Sequence, residues 1–149
     1  MKLPFFKRSA PKTPPPAPPP VPTPPSSATV ILMVDDEPAQ RELFAVALRR
    51  EGYWVIEARN GAEALDVAAQ AGRIDLVVSD VVMPVMKGPE MAAKLRDRYP
   101  DAEVLFVSGY LLNDELGPNA HIMQKPFVRK DLLKSVIDIV GPPREPIVA

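Results

Sequence analysis

The chain of 149 residues has no cysteine, one histidine and one tryptophan. Without cysteine there are no disulfides and no thiolate metal sites, which is compatible with a reducing cytoplasm. The single histidine, His121, leaves no second imidazole for a histidine metal site, so it is expected to be a structural or surface residue. No stretch of ~18 apolar residues occurs, so nothing is expected to span a membrane. The N-terminal apolar patch runs only from Leu3 to Phe6, well short of the ~7–15 residues of a signal-peptide core, so secretion is not expected. A basic excess is missing as well, with 18 Lys and Arg against 19 Asp and Glu. Residues 1–34 hold four bases and no acid, which leaves 14 bases against 19 acids in the remainder. A mildly acidic globular part argues against a nucleic-acid partner.

Proline is abundant, with 11 of the 20 prolines in residues 1–28. Proline lacks the N–H that helices and central strands need. This stretch is therefore expected to be a disordered or polyproline II tail. It reads either as a passive extension or as a tether presenting Lys2, Phe5, Phe6, Lys7 and Arg8. The ordered domain is expected over 29–141, with a short C-terminal tail over 142–149.

Within that domain strands and helices alternate. Apolar runs predict strands at Val30–Val34, Tyr53–Ile56, Leu76–Ser79, Val104–Val107 and Ile122–Gln124. A helix follows the first strand, with Pro38 in its first turn and Leu43, Phe44, Ala47 and Leu48 at helical spacing. Arg41, Glu42, Arg49 and Arg50 are expected outside. Asn60 with Glu63 three residues on reads as the cap of a helix over Ala62–Ala71. Glu90–Tyr99 is expected to bury Met91 and Leu95. The last helix presents Leu132, Leu133, Val136, Ile137 and Val140. Strand–helix alternation predicts an α/β fold, a parallel sheet with helices on both faces.

Four of the strands run into polar residues: Asp35 and Asp36, Asp80, Ser108, and Lys125. Ligands of open α/β sheets bind at that carboxyl edge. If the first and third strands are parallel neighbours, Asp35, Asp36 and Asp80 converge. Carboxylates ~4 Å apart repel by about 1 kcal/mol in water and about 4 kcal/mol at an effective dielectric of 20, so the trio calls for a counter-charge. Oxygen-only ligands in an open, wet site suit Mg²⁺, which often works with phosphate. Lys125 adds a fixed positive charge and Ser108 a hydroxyl. Asp80 is the candidate nucleophile, because carboxylates attack phosphorus to form aspartyl-phosphates.

The set Asp35-Asp36, Asp80 with Met83-Pro84 and Gly88, Ser108-Gly109, and Lys125-Pro126-Phe127 resembles the receiver (CheY-like) domain of two-component response regulators. The resemblance covers residues 29–140. It implies a flavodoxin-like, doubly wound sheet of five parallel strands in the order 2-1-3-4-5. It also implies that Asp80 takes phosphate from a histidine kinase or phosphotransfer protein and that the output is binding of a downstream protein. Asp35, Asp36 and the backbone carbonyl of Val82 would help hold Mg²⁺, Ser108 and Lys125 would bind phosphoryl oxygens, and the Lys125–Pro126 bond would be cis. Catalysis would be limited to self-directed phosphoryl uptake and hydrolysis. The arrangement of Ser108-Gly109-Tyr110 and Lys125-Pro126-Phe127 resembles receivers attached to or serving hybrid histidine kinases.

Two departures stand out. Only 17 positions separate Ser108 from Lys125, so a shortened fourth helix is expected within Tyr110–Ala120, ended by Gly117-Pro118. The family's aromatic switch position is Ile122 here, and Tyr110 reads either as a replacement gate or as a packing residue. Two other readings compete. One is a receiver-fold binding module without phosphotransfer. The other is a Mg²⁺-dependent aspartate phosphatase, disfavoured because Asp35 and Asp36 are adjacent rather than in a D-x-D pattern.

Overall fold

Val30–Val34, the longest apolar run near the start of the domain, forms β1, an interior strand of a five-stranded sheet, and all five of its residues are buried. In the computed structural model, which describes residues 20–109, 116, 117 and 119–144, the chain alternates strand and helix. After β1 come α1 (Pro38–Glu51), β2 (Trp54–Ala58), α2 (Gly61–Ala71), β3 (Leu76–Asp80), α3 (Gly88–Arg98), β4 (Glu103–Ser108), β5 (Ala120–Gln124) and α4 (Arg129–Val140). The strands lie in the order β2-β1-β3-β4-β5, and every pair is parallel. This is the expected doubly wound order.

Alternation along the strands divides the core in two. Val30, Leu32, Val34 and Val77 face one side, with Ala64, Val67, Met91 and Leu95 of α2 and α3. Ile31, Met33, Leu76 and Val78 face the other, with Phe44 and Leu48 of α1 and Leu132 and Val136 of α4. Burying such a side chain stabilises the fold by roughly 1.5–3 kcal/mol. Both faces are covered, which is why β1 and β3 read as continuous apolar runs rather than as alternating ones.

The helix ends follow local chemistry. Glu37 accepts from the Ala39 N–H at 3.3 Å, Pro38 opens α1, and Gly52 closes it in the left-handed region at φ 109°. Asn60 accepts from the Glu63 N–H at 2.9 Å, a cap that contributes about 1 kcal/mol.

Four expectations need correction or redrawing. Leu43 is 56 % exposed; α1 instead buries Ala45, so its apolar stripe is turned from the one the larger side chains suggest. Ile137 is exposed too: the buried residues of α4 are Leu132 and Val136, with Leu133, Ile139 and Val140 packed partly buried against the same core. Arg41 is not an outside residue: it is partly buried, donating to the Asp35 carbonyl at 2.9 Å and lying 3.4 Å from Glu57. Residues 20–28, assigned from sequence to the tail, lie on the domain. Val21 N–H donates to the Gln70 side chain at 3.3 Å, and Arg73 donates to the carbonyls of Pro25, Ser26 and Ala28.

Most of the stretch expected to hold a shortened fourth helix, residues 110–115 and 118, lies outside the described residues, and Leu116, Gly117 and Asn119 are not helical. Among the described residues, no helix is long and apolar enough to cross a membrane.

Candidate functional site

The carboxyl edge of the sheet gathers the polar strand ends. Asp35 directly follows β1, and Asp80 is the last residue of the neighbouring β3. One carboxylate oxygen from each of Asp35, Asp36 and Asp80 lies within 4.8 Å of the others. Asp35 is buried and firmly held. Its Oδ1 accepts from the Glu37 N–H at 2.9 Å, and its Oδ2 accepts from Gln40 Nε2 at 2.9 Å. Asp36 is exposed and Asp80 half-buried.

Lys125, just past β5, reaches back across β4. Its Nζ lies 3.1 Å from Asp80 Oδ2, and its N–H donates to the Ser108 carbonyl at 2.7 Å. The Lys125–Pro126 bond is cis, as expected. Ser108 ends β4, is buried, and stands opposite Gln124 in the ladder, one strand away from Asp80. The geometry thus brings Asp35, Asp36, Asp80 and Lys125 together, with Ser108 at the same edge.

Val82 lies in the turn after β3 and is exposed. The turn is pinned on either side of it. Val81 N–H donates to the Val107 carbonyl at 3.2 Å, and Gly88 N–H donates to the Val81 carbonyl at 3.0 Å. Ile122 is 50 % exposed on β5, opposite Phe106, and does not join the acidic cluster. Tyr110 lies outside the described residues. His121 is on the surface, 3.0 Å from Glu103, in keeping with a structural residue.

Three supporting residues escaped the sequence reading. Gln40 holds Asp35, Arg41 holds the Asp35 carbonyl, and Ser79 Oγ donates to the Asp80 carbonyl at 2.8 Å. The only signal for the first two was their place in the first turn of the helix after Asp35. Ser79 looked like one more strand residue.

The electrostatics of the pocket favour a cation. Burial pushes the Asp35 carboxyl above its ordinary range. The nearby Asp80 charge adds to this, while the Glu37 N–H opposes it. One ammonium, Lys125, faces three carboxylates. At about 4.8 Å and an effective dielectric of about 20, a buried like-charge pair repels by about 3 kcal/mol; the exposed Asp36 is screened well below that. A donor set made only of oxygens, with excess negative charge and an open side, suits a hard divalent cation of the Mg²⁺ kind.

The comparisons agree with this geometry. Over 122 residues the chain is 39 % identical to the sensor kinase CckA of Brucella abortus, covering 77 % of this chain but 13 % of that much longer protein. It is 32 % identical over 111 residues to the response regulator receiver protein CpdR of the same organism, covering 71 % of this chain and 92 % of CpdR. The crystal structure of the response regulator TrrA of Thermotoga maritima, in complex with Mg²⁺ and BeF, superposes with a TM-score of 0.67 at 34 % identity, covering 74 % of this chain and 98 % of that one. The family model for the response regulator receiver domain matches residues 31–137, so with this pocket at the head of this sheet the chain belongs to the receiver-domain family of two-component signalling.

Proposed function

We propose that this receiver is a phospho-acceptor, with Asp80 as the residue that takes the phosphoryl group from a histidine kinase or phosphotransfer protein. The observation that carries the reading is the placement of the Asp80 carboxylate 3.1 Å from Lys125 Nζ and beside Asp35 and Asp36. An Asp80 oxygen attacks phosphorus, the bond from phosphorus to the donor imidazole nitrogen breaks, and the nitrogen keeps the electron pair. Lys125 offsets charge on the transferred oxygens, and Ser108 offers them its hydroxyl. Asp35, Asp36 and Asp80, with the Val82 carbonyl, would hold Mg²⁺, and Gln40 and the Glu37 N–H keep Asp35 aimed. A bound Mg²⁺ supplies the positive charge that lets an anionic phosphoryl group approach an anionic carboxylate.

Phosphorylation adds about −1.5 to −2 charge at the pocket and biases an existing equilibrium between inactive and active forms. The readout is binding of a downstream protein, in a cytoplasmic relay. Ile122 replaces the aromatic of the usual switch, so this output would run through an aliphatic side chain that is already half exposed.

Incubation with acetyl phosphate and Mg²⁺ tests the reading by intact mass. The expected result is one phosphoryl mass on the wild type, mapped to Asp80, and none on Asp80→Asn. No gain on the wild type, together with no spectral response to beryllofluoride, overturns the reading in favour of a receiver-fold binding module.

A further inference from the structure

Asp36 is the exposed member of the acidic trio, and among the described residues no hydrogen bond or ion pair fastens its carboxylate. Its aim therefore comes from the main chain, and above all from the peptide that joins it to Asp35. Asp35 is clamped at both of its backbone polar groups. Its N–H donates to the Ala58 carbonyl of β2 at 3.1 Å, and its carbonyl accepts from Arg41 Nη1 at 2.9 Å. A peptide unit is planar, so holding that carbonyl oxygen also sets the direction in which the chain leaves for Asp36.

Arg41 is a committed donor. Its side chain is only 14 % exposed, so its charge needs a partner nearby. Glu57, in register with Met33 on β2, lies 3.4 Å from Arg41 Nε. That nitrogen is buried and completes no hydrogen bond, so the pair is held by charge rather than by a directed bond. Glu57 is kept in place from the other side by Arg49 at 3.1 Å, and Arg49 itself is tied to the Val55 carbonyl at 3.0 Å.

We propose that Arg41, backed by Glu57, is a positioning residue that aims Asp36 and thereby sets the affinity of the pocket for Mg²⁺. The inference rests on the reading of the acidic trio as a Mg²⁺ site. Two effects of Arg41 on that site have opposite signs. As a bare charge, a guanidinium behind the pocket repels a divalent cation, and its removal should tighten binding. As a clamp it holds a ligand in line, and its removal should loosen binding. Glu57 offsets the charge of Arg41 and leaves the bond to the Asp35 carbonyl intact, so the clamp is the larger effect.

Mg²⁺ titration of the full chain, followed by backbone amide shifts with no phosphoryl donor present, gives the dissociation constant directly. Arg41→Met is expected to raise it about tenfold, the low end of what losing an outer partner of a metal ligand costs. Measured well below the melting temperature, a mere loss of stability leaves this constant where it was. Glu57→Gln keeps the shape and drops the charge. It should weaken binding on its own and add little when combined with Arg41→Met. Affinity that is unchanged or tighter in Arg41→Met overturns the proposal. Should that variant not fold, wild-type affinity in Glu57→Gln overturns it instead. An equal loss from Glu57→Gln with and without Arg41 also overturns it, because Glu57 then acts on the cation by charge alone. A wild type that binds no Mg²⁺ overturns the reading of the pocket itself, and this proposal with it.

Discussion

Asp35 keeps 2 % of its surface open to water, yet it must share a pocket with two further carboxylates. Its pKa in the folded protein is raised, chiefly by burial. A raised folded pKa confers stability that is complete below the unfolded value of 3.8 and is lost as pH rises through the folded one. The cation-free protein should therefore weaken across that interval and stay weakened at neutral pH. Asp35→Asn removes the buried charge and keeps an oxygen for the Glu37 N–H. In the presence of a chelator at pH 7 it should melt above the wild type by about 3 °C, the shift that ~1 kcal/mol makes in a domain of this size. Mg²⁺ should then raise the wild-type melting temperature by mass action and leave the variant nearly unmoved. A variant that melts below the wild type in chelator would mean that the hydrogen bonds to Asp35 outweigh its desolvation.

β3 and α3 meet closely beside the pocket. Gly88 is buried at the first position of α3, and a Cβ there would run into the Asp80 carbonyl oxygen and come within 3.1 Å of Ser79 Oγ. Because the obstacle is backbone, it cannot swing aside as a side-chain tip would. Gly88→Ala should destabilise the fold by about 1–3 kcal/mol in urea titration, the usual cost of overpacking. It should also slow phosphoryl uptake on Asp80, since the strand end must shift to make room. Unaltered uptake would show that the start of α3 does not position Asp80. The sequence displayed the strands well because β1, β3 and β4 are buried on both faces and need unbroken apolar runs. Asp35, Asp36 and Asp80 were legible for the same reason, as charges standing where those runs stop, and Lys125 as the charge just past the largely exposed β5. The helix faces were read less well. Leu43 and Ile137 have the right spacing, but small residues such as Ala45 face the core and carry little signal. Gln40, Arg41 and Ser79 were missed because their roles are hydrogen bonds to backbone or carboxylate, which no periodicity marks.

Across the molecule, the edge opposite the acidic pocket is where the two ends of the described segment are fastened, and Asp75 is the fastener. It lies immediately before β3, and its Oδ2 accepts from the Val30 N–H at the start of β1 at 2.7 Å. Arg73, which grips the carbonyls of Pro25, Ser26 and Ala28, lies 3.7 Å away. From the last of the described residues, Arg144 reaches Asp75 Oδ1 at 2.9 Å, and its N–H donates to Thr29 Oγ1. The two kinds of contact differ in value. Arg144 is largely exposed, so its ion pair contributes about 0–1 kcal/mol and weakens in salt. The Val30 N–H is at a buried strand start, and leaving it unpartnered costs about 1–3 kcal/mol. Asp75→Asn keeps the oxygen for Val30 and loses only the charges, whereas Asp75→Ala loses both. Urea unfolding should therefore rank wild type, Asp75→Asn and Asp75→Ala in falling order, with the larger step between the last two. High salt should close the gap between wild type and Asp75→Asn while leaving the gap to Asp75→Ala open. Because Asp75 is a strand's length from Asp80, both variants should still take up phosphate at the wild-type rate. Equal stabilities for Asn and Ala would mean that the two arginines, and not the buried N–H, are what Asp75 is there to hold.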